Sequence, residues 1–99
     1  DITNFYHLGT DITEVTSRLA PLTTHCHVKG VKGMYPYSTF LIPGEEDDEL
    51  DFHTFAEALG KSGYNKYISV ETFSHMRKEK VEIAYNMMAD TLRNLGLRN

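Results

Sequence analysis

His25-Cys26-His27-Val28-Lys29 and, further on, Lys66-Tyr67-Ile68-Ser69-Val70-Glu71-Thr72 decide the fold. The first predicts a strand over residues 24–29 and the second a strand over residues 67–72. Successive side chains of a strand point to opposite faces. His25, His27 and Lys29 therefore share one face, and Cys26 and Val28 the other. In the second strand Tyr67, Ser69 and Glu71 share a face opposite Ile68 and Val70. Both strands carry ionisable groups at their C-terminal ends. That is the end at which α/β proteins bind ligands and metals.

Outward from these strands the pattern reads strand, helix, strand, loop, helix, strand, helix. Residues 2–6 form a short apolar stretch with strand character. Asp11, followed by Glu14, makes a capping-box-like start for a helix that runs to about residue 19 and ends at Pro21. Residues 30–48 are an irregular loop with Gly30, Gly33, Pro36, Pro43 and Gly44, passing into the acidic run 45–49. Residues 50–61 place Phe52, Phe55, Ala56 and Leu59 at helical spacing, and Gly63 supplies the stop. A last helix spans about residues 77–95, with Val81, Ala84, Tyr85, Met88, Leu92 and Leu95 as its buried stripe.

Strands alternating with helices imply parallel βαβ units. Three strands make a thin sheet, and the face bearing His25, His27, Ser69 and Glu71 has nothing to pack on. In a closed barrel such faces point into the lumen. The expected fold is therefore α/β with parallel strands, and residues 1–99 are better explained as a fragment of a barrel than as a free-standing domain. The chain does not open on Met, which leads to the same expectation of a piece of a larger protein.

Composition narrows the function classes. The 99 residues carry a formal net charge of -4, which disfavours a nucleic-acid partner. No apolar run approaches the ~18 residues of a membrane span. The single Cys26 has no internal disulfide partner and reads as a buried, inert thiol of a cytoplasmic protein.

The order of these segments resembles a known family. His25-Cys26-His27-Val28-Lys29-Gly30, then Pro43-Gly44, Leu50-Asp51-Phe52, Ala58-Leu59, Ser62-Gly63-Tyr64 and Ile68-Ser69-Val70-Glu71 is similar to the C-terminal part of xylose-isomerase-like TIM barrels. That superfamily includes sugar isomerases, epimerases, inosose-processing enzymes and DNA-repair endonucleases. The resemblance implies that residues 1–99 are the C-terminal portion, about three βα units, of a single TIM (β/α)8 barrel with parallel strands, and that one divalent metal lies at the barrel mouth. His27 matches its histidine ligand, Glu71 its last-strand glutamate and Asp1 its aspartate. A further glutamate ligand would come from a strand outside this chain. Asn4 replaces a histidine that the zinc-cluster repair enzymes use. Gly30 replaces an aspartate, and the Pro43-Gly44 loop is longer and more acidic than the family's.

Carboxylates with one imidazole suit a hard or borderline ion: Mn²⁺ first, with Mg²⁺, Co²⁺ or Zn²⁺ as alternatives. Such an ion polarises a carbonyl and makes the neighbouring C–H acidic. The resemblance then implies a sugar isomerase or epimerase acting on a small ketose, a keto-inositol or a related polyol. Glu71 is its catalytic proton carrier and a ligand, and His25 and Lys29 bind substrate oxygens. Taken alone, each residue also has a plain reading. Glu71 is a solvated strand-end acid, His27 a satisfied histidine, His25 and Lys29 packing residues. His7, His53 and His75 are surface or supporting residues, and the acidic run a solvated loop. Tyr35, Tyr37 and Phe40 either cover a pocket or pack the loop, and Met34, Met87 and Met88 fill gaps. The alternatives are a metal-dependent endonuclease or dehydratase of the same fold, or a non-catalytic, self-associating piece. Self-association predicts homo-oligomers that weaken when Val81 or Met88 is made polar. The isolated chain is expected to be inactive and to bind metal weakly.

Overall fold

Three aspartates set the starts of three helices. Asp1 Oδ1 accepts the Thr3 backbone N–H at 2.8 Å, Asp11 accepts that of Glu14 at 2.8 Å, and Asp51 that of Thr54 at 3.2 Å. Each satisfies a backbone donor that the first helical turn leaves without a partner. The computed structural model describes residues 1–73 and 76–97. Its elements run α1 (Ile2–Tyr6), α2 (Ile12–Leu19), a 3-10 turn (Ala20–Leu22), β1 (Cys26–Val28), β2 (Gly30–Lys32), β3 (Thr39–Leu41), α3 (Phe52–Lys61), β4 (Ile68–Val70) and α4 (Lys78–Asn94). This is a mixed α/β arrangement with a small parallel sheet.

Two strand expectations are corrected. Residues 2–6 are helical. Ile2, Phe5 and Tyr6 lie at i, i+3 and i+4, and Asp1 caps them, so the segment buries one side of a helix. The strands are also not all parallel. β1 and β4 pair in parallel, with Cys26 opposite Ile68, His27 opposite Ser69 and Val28 opposite Val70. β2 and β3 pair antiparallel, so the segment read as an irregular loop holds a hairpin. The longer β1 and β4 readings shorten to three residues each.

The core gathers around Val28 and Val31, both fully buried, with Phe52, Phe55, Ala56 and Leu59 from one face of α3. Burying a side chain the size of Phe55 contributes roughly 2–3 kcal/mol. α3 packs on α2 and α4, and α1 on β1. The buried stripe of α4 runs through Ala84, Met88 and Ala89, while Tyr85 is exposed. Met88 fills the core as expected, but Met34 is 44% exposed. Gly63 ends α3 with φ +77, the left-handed conformation glycine adopts without strain. Among the described residues, no helix is long and apolar enough to cross a membrane.

The acidic run is the frame of its own loop. Asp48 Oδ1 accepts the backbone N–H groups of Val31 and Leu50, and Oδ2 that of Gly44. Glu45 accepts the Ile42 N–H and lies 3.6 Å from Lys80. Glu46, Asp47 and Glu49 are exposed, as expected of a solvated face, and Asp47 meets Lys32 at 3.4 Å.

Candidate active site

The register of the parallel pair builds the site. Val28 lies opposite Val70, so Lys29 and Glu71 are the next residues out on the two strands. The Glu71 N–H donates to the Val28 carbonyl at 2.9 Å and holds the step in place. Lys29 Nζ then lies 3.1 Å from Glu71 Oε2 and 3.4 Å from Asp1 Oδ2. Three residues from three segments thus converge at the C-terminal ends of parallel strands.

Lys29 is deeply set. Its side chain is 7% exposed, as is that of Asp1, whereas Glu71 is 37% exposed. The Phe40 ring of β3 covers the ammonium at 4.1 Å, a cation–π contact that adds to the ion pairs. The hairpin therefore closes one side of the cluster. The fully buried Thr3 secures the backbone below: its hydroxyl donates to the Lys29 carbonyl at 2.6 Å. A buried ammonium is costly to desolvate, and two carboxylates and a ring face offset that cost. Glu71 is the only one of the three acid–base groups with an open side.

The histidines stand along the same face. His25 Nε2 hydrogen-bonds Ser69 Oγ at 2.8 Å across the sheet. His25 and His27 meet edge to face, with ring centroids 5.1 Å apart, and both are exposed. A cavity of about 140 Å³ borders Asp1, His25 and His27 and is walled by Ile2, Phe5 and Phe55. Tyr35 and Tyr37 are exposed, at 65% and 88%. His7 is half-buried, bonded to Ser38 and stacked against Tyr35 and Phe40. His53 is exposed, and His75 lies outside the described residues.

Cys26 occupies the opposite face and is buried, as a structural thiol is. Its partner is Tyr64, whose hydroxyl donates to the Tyr67 carbonyl at 2.6 Å. Burial first, then the hydrogen bond and charge of Cys26, push the Tyr64 hydroxyl up to about 12. No periodicity or motif pointed to this pair.

The expected metal donors are only partly assembled. Asp1 and Glu71 do converge on one cation, and that cation is the Lys29 ammonium. His27 does not join them: among the described residues, no three His, Cys, Asp or Glu side chains are gathered closely enough to hold a metal ion. As arranged, the donor set does not fit a divalent ion. Asp1 Oδ2 nevertheless lacks an aligned hydrogen-bond donor although it is buried, so the ammonium fills its ion-pair position without satisfying its lone pairs.

Thr3 is a supporting residue that sequence reasoning left out of the site, and Phe40 was read only as covering a pocket or packing the loop. Phe40 is one of three aromatics in a loop with no periodicity to single it out, and Thr3 sits in the segment read as a strand. Comparison of the chain with protein-family models, with curated proteins and with solved structures finds no match in any of the three.

Proposed function

We propose that this chain supplies the C-terminal part of a xylose-isomerase-like TIM barrel that works as a sugar isomerase or epimerase on a small ketose, keto-inositol or related polyol. The observation that carries the reading is the Asp1–Lys29–Glu71 cluster at the C-terminal ends of two parallel strands, with an accessible carboxylate at its rim. Glu71 is the proton carrier. Lys29 holds its Oε2 and fixes the direction of the carboxylate, which presents its open side to the substrate. The carboxylate removes the proton from the carbon next to the carbonyl, and the electron pair moves onto the carbonyl oxygen to give an enediolate. Return of the proton from Glu71 to the neighbouring carbon, with the hydroxyl proton of that centre passing to the enediolate oxygen as the new carbonyl forms, completes an isomerisation. Delivery of a proton to the original carbon from another group on the far face, with the carbonyl re-forming, completes an epimerisation. The exposed His25 hydrogen-bonds a sugar oxygen, oriented by Ser69. The Lys29 ammonium stabilises the negative charge of the cluster as the proton moves.

The test is solvent-deuterium incorporation into a panel of ketoses and keto-inositols, followed by NMR, with the complete barrel carrying this chain. Exchange at the carbon next to the carbonyl is expected, and Glu71→Gln is expected to lower it by about 10²–10⁴-fold with the fold retained. Exchange unaffected by Glu71→Gln, or none with any substrate, ends the proposal. A second reading, a self-associating piece without activity, is favoured by the exposed Leu22, Tyr67 and Ile83 and by a parallel sheet of only two strands.

A further inference from the structure

A cavity of about 620 Å³ opens where α3, β4 and α4 meet. It lies at the N-terminal end of β4, the opposite end of that strand from Glu71, and so stands apart from the acid cluster. Its volume falls in the range of small-molecule sites, about 300–1,000 Å³. The inner wall is apolar: Ala56 and Leu59 of α3, Ile68 of β4 and Leu92 of α4. Tyr64, Tyr67 and Tyr85 add three rings, and the last two are exposed. The Tyr64 hydroxyl already donates to the Tyr67 carbonyl, so Tyr64 offers a ring face rather than a donor. Leu97 leans over the edge of the cavity and across Gly60, where a Cβ would stand 2.7 Å from the leucine methyl. A glycine inside a helix costs stability relative to alanine, and here its bareness gives the leucine its place.

The charge of this cavity is opposite to that of the chain. The chain carries a formal net charge of -4, yet Lys66 is the only charged residue in the lining. Among the described residues, every other lysine and arginine has a carboxylate at ion-pair distance, and Lys66 has none. The last α3 carbonyls accept N–H groups of Ser62, Gly63 and Tyr64, so the negative end of that helix is capped.

We propose that this cavity binds a small aromatic carboxylate, with its rings among the tyrosines and leucines and its anion on Lys66. Aromatic rings gain from edge and offset contacts with tyrosines beyond the area they bury. A single ammonium matches a single carboxylate. The inference does not depend on the isomerase reading.

The experiment is titration of the full 99-residue chain with 2-naphthoate, followed by two-dimensional ¹H–¹⁵N NMR, with the neutral 2-naphthalenemethanol as control. Saturable shifts centred on Tyr67, Ile68 and Leu97 are expected, with the carboxylate bound more tightly than the alcohol. Lys66→Met keeps the side-chain stem and removes the charge. It is expected to weaken 2-naphthoate about threefold, the scale of an exposed ion pair, and to leave the alcohol unchanged. Tyr67→Ser is expected to weaken both, and it leaves the Tyr67 backbone carbonyl in place for Tyr64 and Cys26. No saturable shift, equal affinity for acid and alcohol, or unchanged naphthoate binding in Lys66→Met overturns the proposal. So does a dimer whose interface covers Tyr67 and Leu97 and shuts naphthoate out, since the occupant is then a second copy of the chain.

Discussion

Tyr64 shows at the scale of one residue how burial converts into pH dependence. Its hydroxyl is raised to about 12 in the folded chain, against 10.0 as the ordinary value. Between these values the unfolded chain has lost a proton that the folded chain keeps. The folded state thus binds more protons, and stability falls as pH rises. The contribution is fully present below pH 10 and is lost toward pH 12. Urea unfolding of wild type and Tyr64→Phe across this range is expected to show a steeper decline for the wild type. Parallel curves would remove the assignment. The alternation of His25, His27 and Lys29 against Cys26 and Val28 was legible, because a strand has a period of two and the burial follows it. The Tyr64–Cys26 contact was not, since it joins residues far apart in sequence through a loop with no pattern. Nor was the fate of Lys29. Alternation places it on the histidine face, but its burial depends on Phe40 arriving from the hairpin and Asp1 from α1.

At the scale of elements, caps and close approaches explain where the chain turns. Asp51 starts α3, accepting the Thr54 N–H at 3.2 Å and the Thr54 hydroxyl at 2.9 Å. The Thr54 hydroxyl, chiefly, holds the Asp51 carboxyl below its ordinary 3.8. A depressed carboxyl stabilises above its unfolded value and loses that contribution as pH falls through the folded one. Asp51→Ala is expected to cost about 1 kcal/mol at pH 7. The gap to wild type should close below pH 3.8, and thermal melts at several pH values check it. Gly30 is fixed by contact, not by torsion. A Cβ there would stand 2.8 Å from the Ile42 carbonyl oxygen and 3.0 Å from Asp48 Cγ. The backbone oxygen cannot swing aside, so Gly30→Ala is expected to destabilise by about 1–3 kcal/mol in urea unfolding. A neutral effect would show that the hairpin floats free of its acidic loop. The same contact explains why an aspartate, which the resemblance implies at this position, finds no room. α2, α3 and α4 were readable from caps and apolar spacing because those signals are local. The β2–β3 hairpin was hidden, since its three-residue strands are shorter than a reliable period and its stabilising bonds come from Asp48 and Glu49.

At the scale of the whole molecule, the α/β class was legible and the sheet was not. The alternation of patterns announced βαβ units, yet only β1 and β4 pair in parallel, and residues 2–6 pack as a helix on β1. A two-stranded parallel sheet is a thin support, because parallel sheets are normally covered and extended on both sides. The register shows which β4 groups have no strand partner among the described residues. Glu71 N–H donates to Val28 and Cys26 N–H to Tyr67. In a parallel ladder, alternate residues of a strand face alternate sides, so Tyr67, Ser69 and Glu71 face β1 while Ile68 and Val70 direct their backbone groups outward. An outward row of N–H and C=O groups is a template for another strand. Met88 does not offer an equivalent surface: it is 5% exposed, and a polar side chain there would disrupt the core rather than an interface. The open edge therefore predicts that the isolated chain self-associates through β4. Light scattering behind size exclusion, at about 100 µM, is expected to show dimers or larger species. Val70→Pro removes an outward N–H without touching the bonds to β1, and proline keeps an extended backbone. It is expected to shift the population toward monomer while the far-ultraviolet circular dichroism holds. Wild-type chain that stays monomeric at this concentration would show that the β4 edge is covered within the chain. An unchanged oligomer in Val70→Pro would place the contact elsewhere, with the exposed Ile83 of α4 the next residue to change.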